Sequence, residues 1–137
     1  MTISDDIDGV YRQVIEGDSP AFFADDLYPL MLRGDASALS DLENLVEAGD
    51  IRAQYILGFY CLKGCGLGVD YERAVKLFNL AAELGDASAQ YNLGICYNLG
   101  YGVESDQVKM LEWFQKAAFQ GHKAAQEKIE FYSDLSK

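Results

Sequence analysis

The fold class this 137-residue sequence predicts is all-α, a solenoid of antiparallel helix pairs, and two observations predict it. The first is a 36-residue unit written twice without a gap, Gly49 to Leu84 and Gly85 to Gln120, with thirteen positions identical. A third copy opens at Gly121 with GHKAAQ and then loses the pattern. Self-similarity at a fixed period of about 20–50 residues marks units that bury their apolar faces against one another. The second observation is punctuation: within each unit, short acidic residues and glycines fall where one helix must start and another stop.

Taken in order, the chain divides into 1–48, a degenerate N-terminal set of helices, then the repeats 49–84 and 85–120, then 121–137, a C-terminal capping helix. The whole reads as a single domain of about seven or eight helices. Ile3, Ile7, Val10, Tyr11 and Val14 share one helical face, with Asp5, Asp6, Asp8, Arg12 and Glu16 opposite. Ser19 and Pro20 suit a cap and a first helical position. The apolar stretch AFFADDLYPLMLRG holds Pro29, which breaks or kinks a helix near Tyr28. Asp35 to Ala48 reads as one helix, the second helix of a shortened repeat over residues 20–49.

Each full repeat then gives a first helix, Ile51 to Lys63 and Ala87 to Leu99, begun by Asp50 or Asp86. Short side-chain acceptors there satisfy free N–H groups of the first turn. Gly64 and Gly100 stop these helices in a glycine-rich turn, where a left-handed residue is needed. Asp70 and Asp106 start the second helices, which end at Gly85 and Gly121. Ala53, Gly58, Ala81 and Ala82, with Ala89, Gly94, Ala117 and Ala118, allow close helix approach. Leu57, Leu77 and Phe78, with Leu93, Trp113 and Phe114, fill the space between. From Lys123 to Leu135 the last helix points Ile129 and Phe131 inward and Lys123, Glu127, Lys128, Glu130 and Asp134 outward.

Charge is uneven. Of 22 acids, twelve fall in residues 1–50 against Arg12 and Arg33, a net of −10; the remainder of the chain is nearly neutral. Such a field repels nucleic acid and anionic membrane and attracts a basic partner. No apolar run approaches the ~18 residues of a membrane span, and MTISDDIDGV lacks a signal peptide's positive start, so a cytoplasmic setting is expected. Cys61, Cys65 and Cys96 are expected as free thiols.

Chemistry is sparse in the pattern. The one histidine, His122, is expected to be an exposed surface residue. There is no G-x-S-x-G elbow and no P-loop, and the glycine-rich turns follow a helix where a phosphate cradle follows a strand. Cys61 and Cys65 have no second ligand pair to complete a zinc site. No Ser stands three residues before a Lys, which sets aside the acylating motif of penicillin-recognising enzymes. The reading is non-enzymatic, with no cofactor and no metal.

These residues resemble the Sel-one-like repeat (SLR) family, relatives of the tetratricopeptide repeat. The second copy carries Ala89-Gln90, Leu93-Gly94, Tyr97, Gly100, Gly102-Val103, Asp106, Lys109, Trp113-Phe114, Lys116-Ala117-Ala118 and Gly121. The first carries Ala53-Gln54, Leu57-Gly58, Gly64, Gly66, Asp70, Arg73-Ala74, Phe78 and Ala81-Ala82. The resemblance covers about residues 49–132. It departs from the pattern at Cys61, Met110 and Glu130, and the family's cysteine-rich disulfide framework is not implied.

The resemblance implies a right-handed superhelix whose first helices line a concave face, and a scaffold or adaptor role. It also implies that a small bacterial member can be an immunity protein. By analogy, the concave positions are Arg52, Tyr55, Phe59 and Lys63, then Ser88, Tyr91, Ile95 and Asn98. The most concrete expectation is a monomeric protein-binding antidote that inhibits a basic effector or toxin. Its acidic face would be Asp5, Asp6, Asp8, Asp25, Asp26, Asp41, Glu43 and Glu47. The alternative is an adaptor using the concave aromatics. From another class comes a hydrolase of the β-lactamase-like SLR type.

Overall fold

The computed structural model describes residues 36–64 and 68–135. Among these there are six α-helices and no strand: α1 (Ala36–Glu47), α2 (Ile51–Lys63), α3 (Tyr71–Glu83), α4 (Ala87–Leu99), α5 (Gln107–Phe119) and α6 (Lys123–Leu135). The helix over Ile3–Ile15, the Ser19-Pro20 start, the break near Tyr28, and Cys65 and Gly66 lie outside the described residues. So do Asp5, Asp6, Asp8, Asp25 and Asp26.

The first helices have the boundaries that their caps dictate. Asp50 and Asp86 accept from the N–H groups of Ala53 and Ala89 at 2.8 and 2.9 Å, and Asp70 and Asp106 accept from Arg73 and Lys109 at 3.0 and 3.1 Å. Gly64 and Gly100 end α2 and α4 in the left-handed region, at φ +72° and +73°. The second helices stop one or two residues before the glycines that close them. At the end of α3, Gly85 donates to the Ala82 carbonyl and Asp86 to the Ala81 carbonyl, both at 3.0 Å. This double bond satisfies carbonyls that the helix leaves open, and the pattern recurs at Gly49 and Gly121.

Consecutive helices pack on one another, most extensively within the pairs α2–α3 and α4–α5. Phe78, Phe114, Leu57, Leu93, Leu42, Met110 and Cys96 are fully buried between them. The close approach sits at Gly58 and Gly94. A Cβ placed on Gly58 would lie 2.8 Å from the Phe78 ring, and one on Gly94 would lie 2.6 Å from the Phe114 ring. The aromatic ring therefore occupies the space a side chain would need.

The Ala-Gln pair of each repeat ties one unit to the next. Gln90 Nε2 donates to the Ala82 carbonyl at the end of α3, and Gln126 Nε2 donates to the equivalent Ala118 carbonyl at the end of α5, both at 3.1 Å. Each amide thus adds a second donor to a helix-end carbonyl that already accepts from the closing glycine.

One packing expectation is corrected. Phe131 does not face inward: it is 56% exposed, while Ile129 is half-buried. Its place in the 36-residue register is that of Phe59 and Ile95, which lie outside the core, so Phe131 belongs to a surface row. Trp113 is half-buried and packs against the core, with Nζ of the exposed Lys116 4.4 Å from its ring centroid.

Candidate functional site

The first helices α2, α4 and α6 present one face, and α2 shows how it is built. Arg52, Tyr55, Phe59 and Lys63 follow one another at spacings of three and four, which stacks them along a single helical side. The Arg52 guanidinium lies 4.7 Å from the Tyr55 ring centroid, Tyr55 and Phe59 are 6.1 Å apart, and Lys63 Nζ stands 5.5 Å from the Phe59 ring. Cation, ring, ring, cation form a continuous ladder, each contact of the kind that is worth about 0.5–1 kcal/mol at a wet surface. Tyr55 also rests on Phe78 of α3, at 6.1 Å. The aromatic undersides are thus packed, and the rings remain half-exposed above.

On α4 the same register carries Ser88, Tyr91 and Ile95, half-buried, and then Leu99, exposed, with the expected Asn98, half-buried, one position before it. Tyr91 sits against Phe114 of α5 at 5.6 Å and stacks on His122 at 4.8 Å. Burial, and then the negative charge of Glu127, push the Tyr91 hydroxyl above its ordinary pKa of 10.0, so it is a neutral hydrogen-bonding group. Asn98 turns to the glycine-rich loop: its Oδ1 accepts from Gln107 and its carbonyl from Ser105. It fixes that loop at the border of the face. On α6 the register continues as Glu127, Phe131 and Leu135, all exposed.

The structure brings the concave set together across repeats as well as along them. Arg52 Nη1 donates to Asp86 Oδ2 at 2.7 Å, joining α2 to the head of α4. Asp86 is buried, and its other oxygen caps α4, so Arg52 is spent on holding the face in shape. Lys63 is the exposed cation of the row.

Of the acidic set, only Asp41, Glu43 and Glu47 fall among the described residues. Asp41 and Glu47 are exposed on α1, and Glu43 pairs with Arg73 of α3 at 3.2 Å. That pair belongs to second helices, whereas the aromatic ladder belongs to first helices. The described acidic residues and the aromatic ladder are therefore on different elements.

His122 is not the exposed residue the sequence suggests. It is half-buried, its Nδ1 accepts from the Ala125 N–H at 3.2 Å, and it caps α6. The period could have found it, since 122 is the position of Asp50 and Asp86 one repeat on. The same arithmetic places Phe131 in the row of Phe59 and Ile95.

Cys61 and Cys96 are free and buried. Among the described residues, no group of three or more His, Cys, Asp or Glu side chains is placed to hold a metal ion. No described helix is long and apolar enough to cross a membrane.

Comparison with known proteins agrees with this architecture. The Sel1 repeat model matches residues 51–86 and 87–122. A crystal structure of a Sel1 repeat protein from Oxalobacter formigenes superposes with a TM-score of 0.71 at 32% identity, over 81% of this chain and 45% of that one. A protective antigen present in uropathogenic Escherichia coli strains, displaying an SLR fold, superposes with a TM-score of 0.70 at 32% identity, over 91% of this chain and 28% of that one. The chain thus spans less than half the length of either structure. Among curated proteins, none matches the chain. Repeat register, helix pairing and family model agree, and the chain belongs to the Sel1 repeat family.

Proposed function

We propose that this Sel1 repeat chain binds a protein partner on the face of its first helices, with Tyr55, Phe59, Tyr91 and Ile95 as anchors. The ladder Arg52–Tyr55–Phe59–Lys63 carries the reading. Its rings are already held in place from below, so little side-chain entropy is lost when a partner covers them. Aromatic groups with a polar tip and a large rigid area are the usual energetic centres of protein interfaces. Lys63 and Asn98 stand at the border of the face and select among partners by charge and hydrogen bonding.

The test is capture of partners from the native host by the wild-type chain and by Phe59→Ala/Ile95→Ala. Both side chains are half-exposed, so the helices persist while the anchors go. Loss of the specific partner from the double variant supports the reading, and undiminished recovery refutes it.

A narrower reading is that the partner is a basic effector or toxin that this chain inhibits as an antidote. It is supported by the net −10 of residues 1–50 and by the exposed Asp41 and Glu47. An acidic face docking on a basic cleft would steer association and block substrate together. The affinity of such a complex falls steeply with salt. Recovery only of acidic or uncharged partners, with salt-insensitive affinity, refutes the antidote version and leaves the adaptor version standing.

A further inference from the structure

His122 stands at the joint between the aromatic face and its last helix. Its backbone N–H donates to the Ala117 carbonyl of α5 at 3.1 Å, and its Nδ1 accepts from the Ala125 N–H at 3.2 Å. Its ring stacks on Tyr91 at 4.8 Å with a 24° tilt. A ring nitrogen that accepts a hydrogen bond carries no proton, so this cap exists only for the neutral imidazole protonated on Nε2. The two preceding first helices are capped by the carboxylates of Asp50 and Asp86. The third cap is the exception, an imidazole, the side chain whose charge ordinarily changes between about pH 5 and 8. An imidazolium at a helix N-terminus also opposes the helix dipole.

Burial, and not the charges around it, favours the neutral ring. From the head of α4 comes Asp86, already bound to Arg52 of α2 at 2.7 Å. From α4 also comes Tyr91, itself held neutral. α6 carries Lys123, Glu127, Glu130 and Asp134, all exposed, and Lys128, half-buried; α5 carries Lys109, Glu112 and Lys116, all exposed. Burial lowers the His122 pKa below 6.5 and outweighs the upward pull of Asp86.

We propose that His122 is a proton-sensitive latch that seats α6 on the binding face. With Nδ1 bare, it caps the helix and grips the Tyr91 ring. With a proton on Nδ1, the cap is lost, and the first turn of α6 loosens beneath Glu127 and Phe131. The consequence for a partner rests on the reading that this face binds: a partner reaching α6 is held at neutral pH and released in mild acid.

The latch is tested on the intact chain by amide and imidazole NMR and by hydrogen exchange, from about pH 7.5 to about pH 5. The Ala125 amide and the Tyr91 ring signals should move with the His122 imidazole, at a midpoint below 6.5. Protection of the first-turn amides of α6 should fall roughly fivefold across the same step, as for the loss of one cap. Amides in the middle of α4 should be unaffected. His122→Asn and His122→Asp cap without titrating in this range, and protection should stay level in both. An Ala125 amide that stays still while His122 titrates overturns the latch. So does an unchanged pH step in His122→Asn. No partner is needed, so this result and the fate of the proposed binding face are decided separately.

Discussion

Asp86 joins two repeats through its two oxygens: Oδ1 caps α4 by accepting from Ala89, and Oδ2 receives Arg52 Nη1 from α2 at 2.7 Å. The carboxylate is almost fully buried and the guanidinium is 20% exposed. Removing the partner of a buried charge is more damaging than removing the pair, because the remaining charge stays desolvated. Asp86→Ala therefore loses both the cap and the counter-charge, and should reduce stability by about 3–4 kcal/mol. Asp86→Asn keeps a capping oxygen and should lose about half as much. Urea unfolding checks the ranking, which the interpretation needs. Because Asp86 raises the His122 pKa, Asp86→Asn should also move the His122 titration to lower pH.

Gly94 against Phe114 sets the spacing of the pair α4–α5. A Cβ at Gly94 would lie 2.6 Å from the ring and 3.3 Å from the Met110 carbonyl, so the obstacle includes backbone as well as a fully buried ring. Gly94→Leu should lower stability by at least about 2 kcal/mol, even after the gain of about 1 kcal/mol in helix propensity. Gly58→Leu should behave alike against Phe78. Thermal unfolding of either variant at the wild-type midpoint would show that this spacing is not set by the ring.

Much of this was legible in the sequence because the repeat states each packing rule twice. Asp50 and Asp86, Gly64 and Gly100, and Gly58 and Gly94 recur at one period, and chance recurrence of cap, stop and close approach together is small. The aromatic ladder was legible as spacing, since Arg52, Tyr55, Phe59 and Lys63 sit three and four apart. The half-packed state of the rings was not, because it depends on Phe78 and Phe114 reaching up from the second helices. Phe131 and His122 were misplaced for a different reason. Both lie in the copy where identity fades, and there register, which persists, is a better guide than residue type. The Arg52–Asp86 pair was illegible because Ser88, the next residue in Arg52's register, cannot repeat it.

The buried thiols give a second pH dependence. Burial pushes Cys96 up to about 11 and raises Cys61, where Arg73 pulls down against Asp70 and Glu43. Below pH 9.0 both folded and unfolded chains hold the Cys96 proton. Between 9.0 and about 11 the unfolded chain releases it first, so stability falls as pH rises through this window. Cys96→Ala should flatten that part of the profile. On a Cys65→Ser background, a thiol reagent should modify Cys61 and Cys96 only as fast as the chain unfolds. Native-state labelling at the rate of a free cysteine contradicts the burial assigned to them.

Gln90 and Gln54 hold the same repeat position with unequal partners. Gln90 Oε1 accepts from Gln120 Nε2 at 2.9 Å, whereas Gln54 Oε1 is buried without a hydrogen-bond partner. The cause is one residue: the register of Gln120 falls on Leu84 in the preceding copy, and a leucine cannot donate. Leu84 is 59% exposed, so its apolar area contributes little. Its backbone, at φ −84° and ψ 1°, matches that of Gln120 at φ −82° and ψ 1°. Leu84→Gln should therefore reach Gln54 as Gln120 reaches Gln90, and raise stability by about 1 kcal/mol by satisfying a buried acceptor. Gln120→Leu should create the same orphan at Gln90 and lose a similar amount. Opposite shifts in urea midpoint at unchanged slope are the expected result. If Leu84→Gln is no more stable than the wild type while Gln120→Leu is no less stable, the hydrogen bond from Gln120 to Gln90 does not contribute the stability assigned to it.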